Sequence, residues 1–134
     1  MHHMPIWIDT FVQPIRDDRT AQIAIMAVML LTLADIVFGI INALISHTFS
    51  SQKMREGVGH KCVSFGLMFV ADVVDGTIIG GLDLGFTSPV LVTSCVYLII
   101  MEITSLLEHF VKIEPELKDT PIFKLLNISE KLEG

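Results

Sequence analysis

A long apolar run near the N-terminus constrains the fold more than any other feature. Residues 21–46 (AQIAIMAVMLLTLADIVFGIINALIS) contain a single ionisable side chain, that of Asp35. At about 1.5 Å per residue, a helix of this length crosses a hydrocarbon core of roughly 30 Å with some tilt. A cleaved signal peptide is the alternative, but the run is too long and no small-residue cleavage site follows it. The run therefore predicts a transmembrane helix.

Two further apolar runs follow, at residues 62–79 and 89–110. The last run contains Glu102 between long apolar stretches and predicts a helix. The middle run contains Asp72 and Asp75, and each acid at the centre of a span costs about 2.5–3.5 kcal/mol on insertion. This span is therefore the weakest, and a re-entrant segment is an alternative to a full crossing. The fold class predicted is an all-α integral membrane protein with three transmembrane helices.

The composition agrees with a lipid environment. Of the 134 residues, 51% are apolar and only 18% are charged, whereas a soluble domain of this size needs more charge to cover its surface. The net charge of −6 and the lack of a basic block argue against nucleic acid as a partner. Cys62 and Cys95 are too few for a disulfide scaffold, and we expect both to be buried as small apolar side chains.

The sequence contains no recognisable catalytic motif. There is no Ser/His/Asp set, metal-ligand cluster or phosphate-binding glycine loop, and the glycines before Lys61 lack the spacing of a P-loop. His2 and His3 are adjacent at the terminus and do not by themselves indicate a metal site. We therefore predict no enzyme, no cofactor and no metal.

The basic residues predict the orientation in the membrane. Lys53, Arg55 and Lys61 lie between the first two spans, four lysines follow the third span, and the connection between the second and third spans has none. By the positive-inside rule, the first loop and the C-terminal tail lie in the cytoplasm and the short N-terminus lies outside. Arg16 and Arg19 oppose the N-terminal placement, which would reverse if the second span were re-entrant.

The first 20 residues predict an interfacial segment. Trp7 lies between Pro5 and Pro14, so only a short element fits there, and a tryptophan is suited to the headgroup level. We expect this segment to lie along the membrane surface.

The C-terminal tail predicts a short amphipathic helix. Asp119 and Thr120 precede Pro121, which is the residue pattern of a helix start, and leucines then recur with helical spacing. This helix would face lipid or another subunit, and the glycosylation sequon at Asn127 is interpreted as chance. The predicted organisation is an interfacial segment at 1–20, a transmembrane domain at 21–110 and a cytoplasmic tail at 111–134.

Polar side chains line one face of each predicted span. In the first span they recur every three or four residues, the third span has a comparable stripe, and the second places its acids on one side. Lipid should reject such faces, so they must contact something else. The residues predicted to line a pore or an oligomer interface are Thr32, Asp35, Gly39, Asn42, Ser46, Asp72, Asp75, Glu102, Ser105 and His109.

Helix packing is the alternative explanation for the small and hydroxyl residues of these stripes. The carboxylates are different, because no Lys or Arg is expected at the depth of Asp35, Asp72 and Glu102. These acids would have to be protonated, hydrogen-bonded or in contact with water. Four acids in three helices are hard to satisfy within one copy. We therefore expect self-association that builds a shared polar interior or a wet lumen.

Several motifs occur in a characteristic order along the chain. Asp35 is followed four residues later by Gly39, a Ser- and Lys-bearing loop comes next, and residues 102–108 are EITSLLE. In this order the motifs resemble the phage holin family that includes the clostridial toxin-secretion holins, whose third span has the signature E-x-x-S-I-L-E-N. The resemblance covers residues 21–132. His109 stands where that family usually has Asn.

The resemblance implies a small protein of the bacterial cytoplasmic membrane that oligomerises and opens lesions. An endolysin or a toxin would then pass through as passive cargo. The intramembrane acids leave two other functions open: an ion- or proton-coupled carrier or channel subunit, and a scaffold without permeability of its own. His109 could in addition make the cytoplasmic end of the third span sensitive to pH.

Overall fold

All regular structure in residues 5–78 and 89–125, the parts of the chain that the computed structural model describes, is helical. Within these residues, three helices are long and apolar enough to cross a membrane. The predicted fold class, an all-α protein with three spans, is confirmed. The helices are α1 (Ile6–Arg16), α2 (Arg19–Ile45), α3 (Ser51–Gly76) and α4 (Val90–Ile113), followed by a 3-10 helix (Pro115–Asp119).

Some expectations fall on residues outside those ranges. They concern the end of the second span at residue 79, the connection that follows it, the paired histidines at positions 2 and 3, and the tail beyond residue 125. Of the predicted tail helix, residues 121–125 are helical, and Thr120 accepts a hydrogen bond from the backbone N–H of Lys124 at 3.2 Å.

Helix α1 is a short helix that leads directly into the first span. Its first turn closes on the carbonyl of Pro5, which accepts a hydrogen bond from the N–H of Ile8 at 2.9 Å. Pro14 lies inside the helix and is buried. Helix α2 begins immediately afterwards, because the Asp18 side chain accepts a hydrogen bond from the Thr20 N–H at 2.8 Å and so caps the new helix.

Charged side chains surround the junction between α1 and α2. The Arg16 guanidinium donates to Asp17, with 3.1 Å between Nε and Oδ1, and also to Asp9. These carboxylates, Asp17 more than Asp9, raise the pKa of Arg16, so this exposed side chain is charged at any physiological pH. A permanent charge keeps this end of α1 in contact with water or headgroups.

The chain reverses direction in a tight turn between α2 and α3. The N–H of Thr48 bonds to the carbonyl of Ala43 at 3.0 Å, and the N–H of His47 bonds to that of Leu44 at 3.4 Å, which together form a Schellman motif. His47 has a φ of 54°, the left-handed conformation that this position of the motif requires. Ser50 then caps α3 with its side chain.

Helix α3 is longer than the span predicted from the apolar run. It begins at Ser51 rather than near residue 62, and its 26 residues extend about 39 Å. Residues 51–60 are exposed throughout, so only the remainder of the helix contributes to the packed bundle. The first turns of α3 therefore form a polar extension of the bundle.

Helix α4 packs against both α2 and α3. The contact is built on small and medium apolar side chains, and the alanines among them let the helix backbones approach closely. We call this set the apolar core: Ala21, Ala24 and Val28 of α2, Met68 and Ala71 of α3, and Leu91, Cys95 and Leu98 of α4. It occupies the half of the bundle that contains the beginnings of α2 and α4 and the end of α3.

The two cysteines have different environments. Cys95 belongs to the apolar core, as expected, but the expectation that Cys62 is buried is wrong, because its side chain is exposed. Successive helical residues point about 100° apart. Because Lys61 points into the bundle, its neighbour Cys62 faces outward.

The outer faces of the long helices are apolar. This surface suits acyl chains and would be costly in water, as expected of membrane spans. Its members include Ile23, Met26, Met29, Leu30 and Leu33 on α2, Val63, Phe69 and Val70 on α3, and Val96, Tyr97 and Ile100 on α4.

Candidate functional site

Three charged side chains, one from each long helix, meet inside the bundle. The Nζ of Lys61 on α3 lies 2.7 Å from Oδ2 of Asp35 on α2 and also contacts Oε2 of Glu102 on α4. The two carboxylates are almost completely buried, with side-chain exposures of 7% and 5%, and Lys61 is exposed by 16%. Together with His109, described below, we call these residues the ion cluster.

The ion cluster corrects a premise drawn from the sequence. No basic residue was expected at the depth of Asp35 and Glu102, because Lys61 was assigned to a cytoplasmic loop. Helix α3 instead starts at Ser51, and the long side chain of Lys61 reaches into the bundle. Asp35 and Glu102 therefore share one positive partner within a single copy, and they do not by themselves require several copies to associate.

The ion cluster is buried and lies towards the end of the packed bundle opposite to Asp75. Measured along α3, Lys61 is roughly 20 Å from Asp75, which marks the opposite end of the packed region. Because these groups are buried, the Coulomb attraction between them is strong, but so is the cost of removing them from water. Removal of one member of such a cluster lowers the stability of the bundle strongly, because it leaves a buried charge without a partner. The intact cluster nevertheless stabilises the bundle no more than apolar packing usually would.

His109 on α4 is the fourth member of the ion cluster. Its Nε2 lies 3.4 Å from Oδ1 of Asp35, the carboxylate oxygen that Lys61 does not contact. Among the described residues, neither this oxygen nor Nδ1 of His109 has a hydrogen-bond partner, and both atoms are buried. His109 and Asp35 are therefore adjacent groups with unused hydrogen-bonding capacity.

Gly39 makes room for the His109 ring. A Cβ atom added at Gly39 would lie 3.3 Å from His109 Nε2, which is closer than ordinary contact. Gly39 is one turn after Asp35 on the same face of α2. The Asp35 and Gly39 pair that the sequence analysis identified thus supplies both the carboxylate and the space for the imidazole.

Asp75 has a different role from Asp35. Its carboxylate accepts hydrogen bonds from the backbone N–H groups of Val90, at 3.2 Å, and Leu91, at 2.8 Å. These amides are unpaired donors at the start of α4, and a carboxylate there is also favoured by the helix dipole. Asp75 therefore joins the end of α3 to the beginning of α4.

Asp72 lies one turn before Asp75 and is only partly buried. Its Oδ1 atom is buried and lacks a hydrogen-bond partner within the described part of the chain. Of the four acids in the spans that are buried or partly buried, Asp72 is thus the one for which the bundle supplies the least compensation.

The remaining predicted site residues occupy several environments. Thr32 is buried one turn from Asp35, and Asn42 and Ser105 are partly buried. Ser46 is exposed and donates its hydroxyl hydrogen bond to the Asn42 carbonyl at 2.7 Å, so it belongs to the end of α2. Lys53 and Arg55 are exposed on the first turns of α3, and their role in setting the orientation remains a prediction.

Two contacts were not anticipated from the sequence. Phe38 of α2 and Phe110 of α4 stack edge to face, with ring centroids 4.6 Å apart, beside the ion cluster. At the other end, α1 crosses α3 at Gly76, where an added Cβ would lie 2.8 Å from the backbone oxygen of Thr10. The glycine and the aromatic residues were visible in the sequence, but their partners lie on distant segments.

Comparison with known proteins gives one match. The sequence model of the bacteriophage holin family matches residues 20–127, a range that contains α3, α4, all but the first residue of α2, and every member of the ion cluster. No curated protein and no solved structure matches this chain significantly.

Proposed function

Because the chain belongs to the bacteriophage holin family, we propose that it assembles in a bacterial cytoplasmic membrane and opens lesions through which an endolysin or a toxin leaves the cytoplasm. The premise is a multi-pass membrane protein with three apolar helices. What we propose in addition is that the protein forms a lesion, that this lesion passes an endolysin or a toxin, and that the membrane is the bacterial cytoplasmic membrane.

The ion cluster is the main observation that supports this proposal. Apolar residues of similar volume usually stabilise a bundle as well as a buried ion pair does, or better. A cluster of Lys61, Asp35 and Glu102 at the meeting point of all three spans is therefore poorly explained by stability alone. These groups are useful if the protein has a second arrangement in which water solvates them.

The two arrangements differ in what the charged groups contact. In the closed copy, Lys61 bridges Asp35 and Glu102, and the outer faces of the helices are compatible with lipid. In the open arrangement, the helices separate at the ion cluster and its members line a water-filled hole, while the same outer faces remain in lipid. Opening is then a shift in population between two packings.

Several copies are required for such a hole. A helix with its side chains is about 10–12 Å across, so the three spans of one copy cannot surround a passage for a folded protein. Self-association is therefore proposed from the size of the cargo, and no longer from unsatisfied acids within one copy. Asp72, whose Oδ1 lacks a partner among the described residues, is the acid left to contact water or a neighbouring copy.

Release of solutes of graded size from lipid vesicles tests the proposal. The full chain is reconstituted into vesicles that contain both a small dye and a fluorescent dextran of the size of a folded protein. We expect both to escape together. Escape of ions or small dye alone would indicate a carrier or narrow channel, and retention of everything by inserted protein would indicate a scaffold.

A further inference from the structure

The charges of the ion cluster do not balance when its members have their ordinary ionisation states. Asp35 and Glu102 contribute two negative charges and Lys61 contributes one positive charge, so a neutral His109 leaves one negative charge in excess. An unbalanced charge is unfavourable in a bundle whose exterior is apolar, because little water is available to solvate it.

The geometry provides a place for one additional proton. Oδ1 of Asp35 is buried without a hydrogen-bond partner in the described residues, and Nε2 of His109 is 3.4 Å away. A neutral imidazole carries a proton on only one of its two nitrogens, whereas the imidazolium carries a proton on both. Protonation of His109 therefore guarantees a donor facing Asp35 and also brings the net charge of the cluster to zero.

Few other titratable groups lie near this site. Helix α2 has no acid or base besides Asp35 between its first turn and its end. At this end of the bundle, the other charged side chains and histidines of the neighbouring elements are exposed: Lys53, Arg55, Glu56 and His60 on α3, Glu108 and Lys112 on α4, and Glu114, Glu116, Lys118 and Asp119 after it. Asp72 and Asp75, the less exposed acids of α3, lie roughly 16–21 Å from Lys61 along that helix. The partners that face His109 inside the bundle are thus Asp35, Lys61 and Glu102.

We propose that the ion cluster is a proton-binding site in which a proton shared by His109 and Asp35 stabilises the closed arrangement. The proton comes from water on the side of the bundle where α2 and α4 end, because His109 lies on that side of Glu102 and its side chain is 22% exposed. This inference rests on the proposed function only in equating the separated arrangement with a lesion.

The direction of the pH effect follows from proton counting. The closed arrangement holds one proton that the water-filled arrangement does not need, because water solvates the separated charges. Acid therefore favours the closed form, and a rise in pH favours opening. For one proton, the ratio of closed to open forms changes by up to about tenfold per pH unit.

Histidine resonances measure proton binding without reference to leakage. The full chain is labelled with ¹³C- and ¹⁵N-histidine in lipid nanodiscs and titrated from pH 5 to pH 8, with the other four histidines replaced by Gln. We expect His109 to titrate, and its titration to move when Asp35→Asn removes the adjacent charge. A His109 signal that is constant over this range, or unaffected by Asp35→Asn, would overturn the inference.

Matched substitutions at His109 then link proton binding to opening. His109→Gln keeps an N–H donor near the position of Nε2 but cannot become charged, so dye release should lose its pH dependence. His109→Lys carries a fixed charge and should keep release low at both pH 5.5 and pH 7.5. Gly39→Ala, which crowds the imidazole, should weaken the pH dependence. Equal pH dependence in the wild type and His109→Gln would contradict the proposal.

The two proposals can fail separately. If His109 titrates together with Asp35 but no dye escapes at any pH, the proton-binding site is supported and the proposed lesion is refuted. If dextran escapes equally at pH 5.5 and pH 7.5 and His109 does not titrate, the lesion stands and the proton site does not. Should His109→Lys fail to insert, the titration of His109 in the presence and absence of Asp35→Asn still decides the question.

Discussion

The bundle holds its buried carboxylates in two different ways at its two ends. Asp75 bonds to backbone amides at the start of α4, beside an apolar core, whereas Asp35 and Glu102 bond to the side chain of Lys61. Backbone amides at a helix start have a fixed position and no other intrahelical partner. Flexible side chains from three helices can instead separate and be solvated. We infer that the end with Asp75 is the fixed end and that the ion cluster is the part that rearranges.

The largest effect on the stability of the bundle is expected from removal of Lys61, the cation that both acids share. Lys61→Met leaves Asp35 and Glu102 close together without a positive partner, and loss of one member of a buried ion pair costs about 3–5 kcal/mol. The helices should dissociate at much lower denaturant in a detergent titration of the purified protein. Lys53→Met, at an exposed position of the same helix, is the control and should have little effect. Equal midpoints for the two variants would refute the structural role of Lys61.

Removal of one carboxylate should have a smaller effect, and it should favour the closed arrangement instead of destabilising it. Asp35→Leu or Glu102→Leu leaves Lys61 with one acid, so the cluster is closer to neutral and one hydrated lining group is lost. Both variants should insert normally but release dextran roughly 10- to 100-fold more slowly, which corresponds to about 1.4–2.8 kcal/mol. Unchanged release from both variants would show that the ion cluster takes no part in opening.

A third prediction concerns the contact between α1 and the fixed end. Gly76→Ala places a methyl group 2.8 Å from the Thr10 carbonyl oxygen, so α1 must shift at a cost of about 1–3 kcal/mol. The fluorescence of Trp7 and protease cleavage within α1 should both report the shift. Gly66→Ala is a matched control on the same helix, because nothing lies within 4 Å of its added Cβ. If the two variants behave alike, α1 does not pack on α3 as described.

The smallest effect is expected at the cap of α4. Asp75→Ala removes the acceptor of two N–H groups, and loss of such a cap costs about 0.5–2 kcal/mol. Amide hydrogen exchange at Val90 and Leu91 should accelerate, while exchange near Glu102 should stay as in the wild type. Faster exchange throughout α4 would mean that the two ends of the bundle are coupled and do not behave as a fixed end and a rearranging end.

The sequence was sufficient to predict the class of protein and the number of spans. Long apolar runs identify transmembrane helices without knowledge of their neighbours, because insertion depends on the composition of one continuous segment. The family resemblance also depended on local motifs, such as the acid and glycine of α2 and the E-x-x-S pattern around Glu102. Both expectations are confirmed by the three spanning helices and the family match.

The candidate site was predicted only in part. Asp35, Gly39, Glu102 and His109 were chosen from their spacing, and these four do come together. Lys61 was assigned to a loop because it directly precedes the second apolar run. Its pairing depends on how far α3 extends beyond that run and on where the hairpin turn places it relative to α2. Neither quantity is encoded in the hydropathy of a single segment.

The sequence by itself thus determined which segments enter the membrane and which of their faces are polar, since both follow from composition and from the 3.6-residue period of a helix. Only the tertiary structure decided which polar groups are partners: Lys61 with the two buried acids, His109 with Asp35, and Asp75 with the start of α4. The physical reason is that pairing depends on the register and direction of helices that are distant in the chain, and on the reach of long side chains between them.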